Sequence, residues 1–100
     1  MLWVITCDTK PNMDAIREKA ASAHRAYMVA QKAVLVLAGA TRSDDGEVIT
    51  GSLFLLNVNS RAEAQGFLDR EPYMQAGLFT NVVIKRMRKG QWNPESAANA

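Results

Sequence analysis

Residues 33–58 read AVLVLAGATRSDDGEVITGSLFLLNV. From Ala33 to Ala40 the stretch is a near-continuous apolar run, partly β-branched, and it predicts a buried strand. Ser43-Asp44-Asp45-Gly46-Glu47 is a turn signal whose Asp45-Gly46 centre suits positive φ. Val48 to Val58 is the returning strand, antiparallel to the first. This hairpin lies in the middle of a chain of 100 residues, with a flank on either side to account for.

On the N-terminal flank, Leu2 to Cys7 alternates around β-branched and aromatic residues and predicts a strand. Asp8-Thr9-Lys10-Pro11 interrupts it. Between Met13 and Lys32, apolar residues recur in steps of three and four at Met13, Ile16, Ala20, Ala23, Tyr27 and Ala30, one helical face. On the C-terminal flank, Ser60-Arg61-Ala62-Glu63 is a capping box, in which the serine oxygen accepts from the third helical N–H and Glu63 reaches back. The helix it opens carries Ala64, Phe67 and Leu68 inward and stops near Glu71, because the residue before Pro72 is disfavoured in the α region. Asn81 to Met87 predicts the last strand. Residues 1–88 form one domain on this reading, and 89–100, polar and small apart from Trp92, a loose tail.

The order is β-α-β-β-α-β, an α+β chain of ferredoxin-like type. It implies a four-stranded antiparallel sheet with both helices on one face. The strands are nevertheless apolar on both sides. Trp3 and Ile5 oppose Leu2 and Val4, Phe54 and Leu56 oppose Leu53 and Leu55, and Val34 and Val36 oppose Leu35 and Leu37. A helix-free apolar face predicts a homodimer, two sheets pairing into a dimeric α+β barrel. The plainer alternative is a distorted sheet partly covered by the tail and Trp92.

Twelve basic and ten acidic residues leave a net charge of +2, which makes no argument for a polyanionic partner. RNA-recognition domains share the strand order, but they stack bases on aromatics of the third strand beside basic residues. Here that strand is Gly51-Ser52-Leu53-Phe54-Leu55-Leu56, with one aromatic and no basic residue, so no nucleic acid is expected. No apolar run approaches the ~20 residues of a membrane span. The start, Leu2 to Ile5, reads as strand rather than secretory leader. Cys7 and His24 are the only cysteine and histidine. They exclude an internal disulfide and a Cys/His zinc cage, so no metal site is expected, and a cytoplasmic setting fits. Neither a dinucleotide fingerprint nor a phosphate-cradling loop appears, and no cofactor is expected.

His24 is the residue with the most chemistry to offer, since imidazole serves readily as acid or base near neutrality. It shares a helical edge with Arg17, Ala20, Ala21 and Met28. A plain hydrogen-bonded histidine at a helix boundary is the competing reading. A catalytic histidine needs an orienting acceptor. Glu71, fixed by the Glu71-Pro72-Tyr73 turn, is one candidate and Asp8, at the end of the first strand, is another. A solvated carboxylate at a helix end is the bland reading of Glu71.

The chain resembles the YciI-like proteins from its first strand to about Met87. The matching pieces are His24-Arg25-Ala26-Tyr27-Met28, Ala38-Gly39-Ala40, Gly46 before Gly51-Ser52-Leu53, and Arg61-Ala62-Glu63-Ala64 with Phe67. Glu71-Pro72-Tyr73 and Ala76-Gly77-Leu78-Phe79 complete them. The family is similar in fold to muconolactone isomerases and other dimeric α+β-barrel proteins. The resemblance implies that His24 occupies the histidine of a histidine–aspartate acid–base dyad, and that Gly39 and Ser52 line the adjoining pocket. A relative removes chloride from a chlorinated hydroxyquinol ring. This sequence departs from the family pattern in carrying Glu71 for the usual aspartate, Ala21 for a frequent arginine and Ala40 for the strand-end proline.

The function expected from all this is cofactor-free acid–base chemistry, isomerisation or elimination, on a small cyclic or aromatic metabolite. His24 and Glu71 would be catalytic, with Gly39, Ser52, Tyr73 and Phe79 against the substrate. The alternative is a non-catalytic dimeric module that binds a small ligand or modulates a partner, which predicts a filled space rather than a cleft beside His24.

Overall fold

The computed structural model describes residues 1–100. Strand β1 (Leu2–Thr9) is followed by helix α1 (Asp14–Ala30), the hairpin β2 (Leu35–Arg42) and β3 (Ile49–Asn57), and helix α2 (Arg61–Arg70). A one-turn helix α3 (Pro72–Gln75), strand β4 (Phe79–Met87) and a 3-10 turn at Pro94–Ala97 complete the chain. The four strands form one antiparallel sheet in the order β2-β3-β1-β4, the ferredoxin-like arrangement.

The core lies between the sheet and α2. Trp3, Ile5 and Cys7 of β1 and Phe54 and Leu56 of β3 pack with Ala64, Phe67 and Leu68 of α2. Tyr73, Leu78 and Phe79 close the cluster. Burying a Leu, Ile or Phe side chain contributes about 1.5–3 kcal/mol, so this shared set dominates the stability of the domain. The capping box at α2 forms with one change. Ser60 accepts from the Glu63 N–H at 3.1 Å, but Glu63 Oε2 takes the N–H of Asn59, one residue before the cap.

The hairpin turn is built as its residues require. Gly46 has φ +78°, and Asp45 accepts both from the Ser43 hydroxyl and from the Glu47 N–H, which holds its carboxyl below the usual carboxylate range. Strand β2 starts two residues later than the apolar run suggests. The carbonyl of Gln31 captures the N–H groups of Val34 and Leu35, so the chain is still turning out of α1 there. A bulge follows. Leu35 pairs with Leu56 while Leu37 pairs with Leu55, so the two leucines expected on one face lie on opposite faces. Strand β4 begins at Phe79 rather than Asn81. Asn81 (φ +51°) sits in a second bulge, between the pairs Thr6–Val83 and Asp8–Thr80.

Helix α1 is rotated from the expected face. Ile16, Ala23 and Ala30 are exposed, whereas Met13, Arg17, Ala20, Ala21, His24, Tyr27 and Met28 are half-buried. No residue of α1 is fully buried, and the helix rests mainly on α3. It is tied to α2 by the Tyr27 hydroxyl, which donates to the Phe67 carbonyl at 2.8 Å. On the far side of the sheet no helix covers Leu2, Val4, Leu37, Leu53, Leu55, Val83 and Met87, and Leu37 is 57% exposed. Every residue from Lys85 onward is exposed, Trp92 included.

Candidate active site

Because α1 leans on α3 instead of pressing into the sheet, a cleft remains between it and the β2–β3 side. It has a volume of about 500 Å³, within the range of small-molecule sites. The helix contributes Arg17, His24 and Met28, the sheet contributes Leu35, Ala38, Ser52 and Phe54, and α3 contributes Tyr73. The lining is chiefly apolar, with a few polar groups directed into it.

His24 stands at the edge of this space with its side chain 21% exposed. Its Nδ1 lies 2.5 Å from Oε1 of Glu71, a carboxylate with no exposure at all. The second oxygen of Glu71 accepts the Met74 N–H at 3.1 Å and caps α3, with Pro72 in the first turn where its missing N–H costs nothing. The Glu71 N–H in turn closes α2 on the Leu68 carbonyl. One residue thus ends one helix, begins the next and presents a carboxylate to α1. The extra methylene relative to aspartate is accommodated in this geometry. The Tyr73 ring stacks on the imidazole, centroids 4.0 Å apart and 11° from parallel, which fixes the plane of the ring.

A carboxylate at Oε1 accepts the Nδ1 proton and leaves the lone pair of the neutral ring on Nε2. That atom has no hydrogen-bond partner within the protein. A ring so oriented, with one nitrogen free, has the geometry that general acid–base chemistry requires. Behind it, Cys7 is buried, and its thiol is pushed up to about 12 by burial first and by the charges of Glu71 and Asp8 second. It stays a thiol at neutral pH and offers no nucleophile. No three His, Cys, Asp or Glu side chains come together anywhere as a metal-binding group.

The other residues singled out in the sequence fall in different places. Asp8 is not at His24: it is exposed and accepts from the Asn81 side chain at 3.0 Å. Ser52 and Tyr73 are buried and line the cleft, and Gly39 lines it through its backbone. A side chain at Gly39 would meet nothing within 4 Å, and its pairing with Leu53 would direct it to the open face. Phe79 does not reach the cleft. It is a core residue, edge-on to both Phe54 and Tyr73 at 6.4 Å. Tyr27 is held by Phe67 and does not line the cleft either.

Arg17 was not among the expected site residues, though it shares the face of His24 two turns earlier. Its guanidinium donates to the Thr9 hydroxyl at 3.0 Å and lies 5.3 Å from the centre of the Tyr73 ring. The signal available in the sequence was the spacing of seven from His24, which puts both residues on one side of a helix.

The model of the YCII-related domain family matches residues 1–88. A search of curated proteins returned no match. Among solved structures, the chain is similar to the 5-chloro-2-hydroxyhydroquinone dehydrochlorinase (TftG) of Burkholderia phenoliruptrix AC1100, in complex with 2,5-dihydroxybenzoquinone. The two share 28% identity over 88% of this chain and 94% of that one, with a TM-score of 0.78. A protein of Agrobacterium tumefaciens is similar in fold, with 17% identity over 94% of this chain and 98% of that one and a TM-score of 0.53.

Proposed function

As the chain belongs to the YCII-related domain family, we propose that it is an acid–base enzyme acting without a cofactor on a small cyclic or aromatic metabolite, by isomerisation or elimination. The observation that carries this reading is the bond between His24 Nδ1 and the buried Glu71 carboxylate beside an open cleft. Nε2 of His24 takes a proton from the substrate. It then returns that proton at another atom, or keeps it while a leaving group departs with the bonding electrons. Glu71 holds the ring in position and balances the imidazolium that forms. Ser52, Tyr73 and the Gly39 backbone contact the substrate, with Phe54 and Leu35 as apolar wall; Phe79 has no part in it.

The dehydrochlorinase, at 28% identity, supports elimination as the first reaction to assay. The test of the reaction type is chloride release from 5-chloro-2-hydroxyhydroquinone, used as a surrogate substrate, by the wild type, His24→Ala and Glu71→Gln. Release that depends on both residues supports the assignment, and release unaffected by His24→Ala refutes it. The cleft also favours an enzyme over a binding module, which would need no solvent-reachable imidazole.

The same proposal includes a homodimer. The helix-free face of Leu2, Val4, Leu53, Leu55, Val83 and Met87, bordered by Gln91 and Trp92 of the tail, is an apolar surface of the kind that soluble monomers seldom leave in water. A second copy applied sheet to sheet buries it and makes the dimeric α+β barrel. No helix is long and apolar enough to cross a membrane.

A further inference from the structure

We infer that Arg17 makes the cleft selective for a small planar acid, and that the substrate carries one carboxylate which this guanidinium holds. The inference rests on reading the cleft as a substrate site and adds the class of molecule that enters it.

Arg17 and His24 are the only basic residues lining the cleft, and no acidic residue lines it. His24 already has a carboxylate partner, whereas the chain's single ion pair leaves Arg17 without one. What Arg17 does have is neutral: the Thr9 hydroxyl at 3.0 Å and the face of Tyr73. A guanidinium carries five N–H donors in a fixed fork. One bond to Thr9 leaves most of them unused, on a half-buried side chain at the wall of an apolar cleft. Thr9 and Tyr73 fix the position of the group without neutralising it. A charge held in place and left uncompensated favours an anionic ligand, and the planar fork matches a carboxylate better than a compact cation would.

Position narrows the ligand further. His24 and Arg17 both abut the Tyr73 ring, one stacked at 4.0 Å and the other 5.3 Å from its centre. Both also line the same cleft, so a molecule that fills it from Arg17 across its apolar wall comes within the space that His24 faces. A single cation facing Met28, Leu35 and Phe54 suits one negative charge on an apolar body rather than a phosphate dianion. The anion is bound at Arg17 and the atom that exchanges a proton faces His24.

The experiment uses sodium benzoate and its neutral isostere benzamide, titrated into the full chain while the His24 ring resonances are followed by NMR. Benzoate is expected to bind with at least about tenfold preference over benzamide, the scale of a charge-assisted contact. Arg17→Gln should abolish the preference by weakening benzoate alone, and Arg17→Lys should restore part of it. Glutamine at this half-exposed helical position preserves the fold, since α1 has no fully buried residue. Equal binding of the two compounds, or a preference that survives Arg17→Gln, overturns the assignment of Arg17 and leaves the acid–base reading standing. Failure of both to perturb His24 likewise overturns the assignment of Arg17, while the acid–base reading is tested by chloride release. A chloride-release assay lost in His24→Ala is independent of either result.

Discussion

Nδ1 of His24 lies 2.5 Å from Oε1 of Glu71, a residue 47 positions further along the chain, and the same carboxylate caps the helix that carries Tyr73 onto the imidazole. In the proposed mechanism the two residues act as one unit. His24→Ala should lower kcat/KM by about 100-fold or more, the usual contribution of a positioned acid–base group. Glu71→Gln should fall in the same direction. The double variant should be little worse than His24→Ala alone, because residues acting as a unit are non-additive. Steady-state kinetics of the three variants check this, and additive losses would separate the pair.

Stability distinguishes the two members of the pair. Glu71 is wholly buried and holds an N-cap, whereas His24 is only partly buried, on a helix with no fully buried residue. Glu71→Ala is expected to cost about 2 kcal/mol in urea denaturation, combining a lost cap with a lost charged hydrogen bond. His24→Ala should cost clearly less. Equal losses would argue against the dual role of Glu71.

Cys7 supplies a pH prediction. Its thiol is raised from an ordinary 9.0 to about 12 by burial and by the nearby charges of Glu71 and Asp8. A raised folded-state value means that the unfolded chain ionises first. The contribution is complete below pH 9 and is lost as pH climbs toward 12. Denaturation midpoints should fall across that window in the wild type and fall less in Cys7→Ala. At pH 7 a thiol reagent should label Cys7 only after the chain is unfolded.

Gly51 sits where two strand backbones approach closely. A Cβ there would lie 2.0 Å from the Cys7 carbonyl oxygen, and neither backbone can yield without breaking the β1–β3 ladder. Gly51→Ala should destabilise the protein by about 2 kcal/mol or more, on the scale of overpacked cores. Gly90→Ala, where nothing lies within 4 Å, is the control expected to leave the thermal midpoint unchanged.

The open face carries the last prediction. Val83 is 42% exposed there, level with Thr6 on β1. In the proposed dimer it is covered, and Val83→Lys should weaken association by about tenfold or more while the monomer keeps its fold. Light scattering and circular dichroism read the two quantities. A wild type that is monomeric at micromolar concentration would remove the dimer outright.

Local chemistry was legible in the residues themselves. The Asp45-Gly46 turn, the Ser60 cap, the inward Ala64, Phe67 and Leu68 and the stop before Pro72 follow from turn geometry, capping and helical period, each decided within a few residues. The β-α-β-β-α-β order, and with it the ferredoxin-like sheet, follows from the sum of those local choices. The bulges at Leu35–Leu37 and Asn81 were not legible, because they depend on how a partner strand absorbs an extra residue.

Only the tertiary structure decided which carboxylate meets His24. Asp8 and Glu71 were both candidates along the chain, and the choice turned on where β1 and the α2–α3 junction arrive relative to α1. The rotation of α1 was decided the same way. Its alanine-rich surface offers two overlapping stripes, and docking on α3 turns inward the one bearing Arg17, His24 and Met28. Helical period sets which residues share a stripe, whereas packing against distant segments sets which stripe turns inward, and the cleft exists because of that second choice.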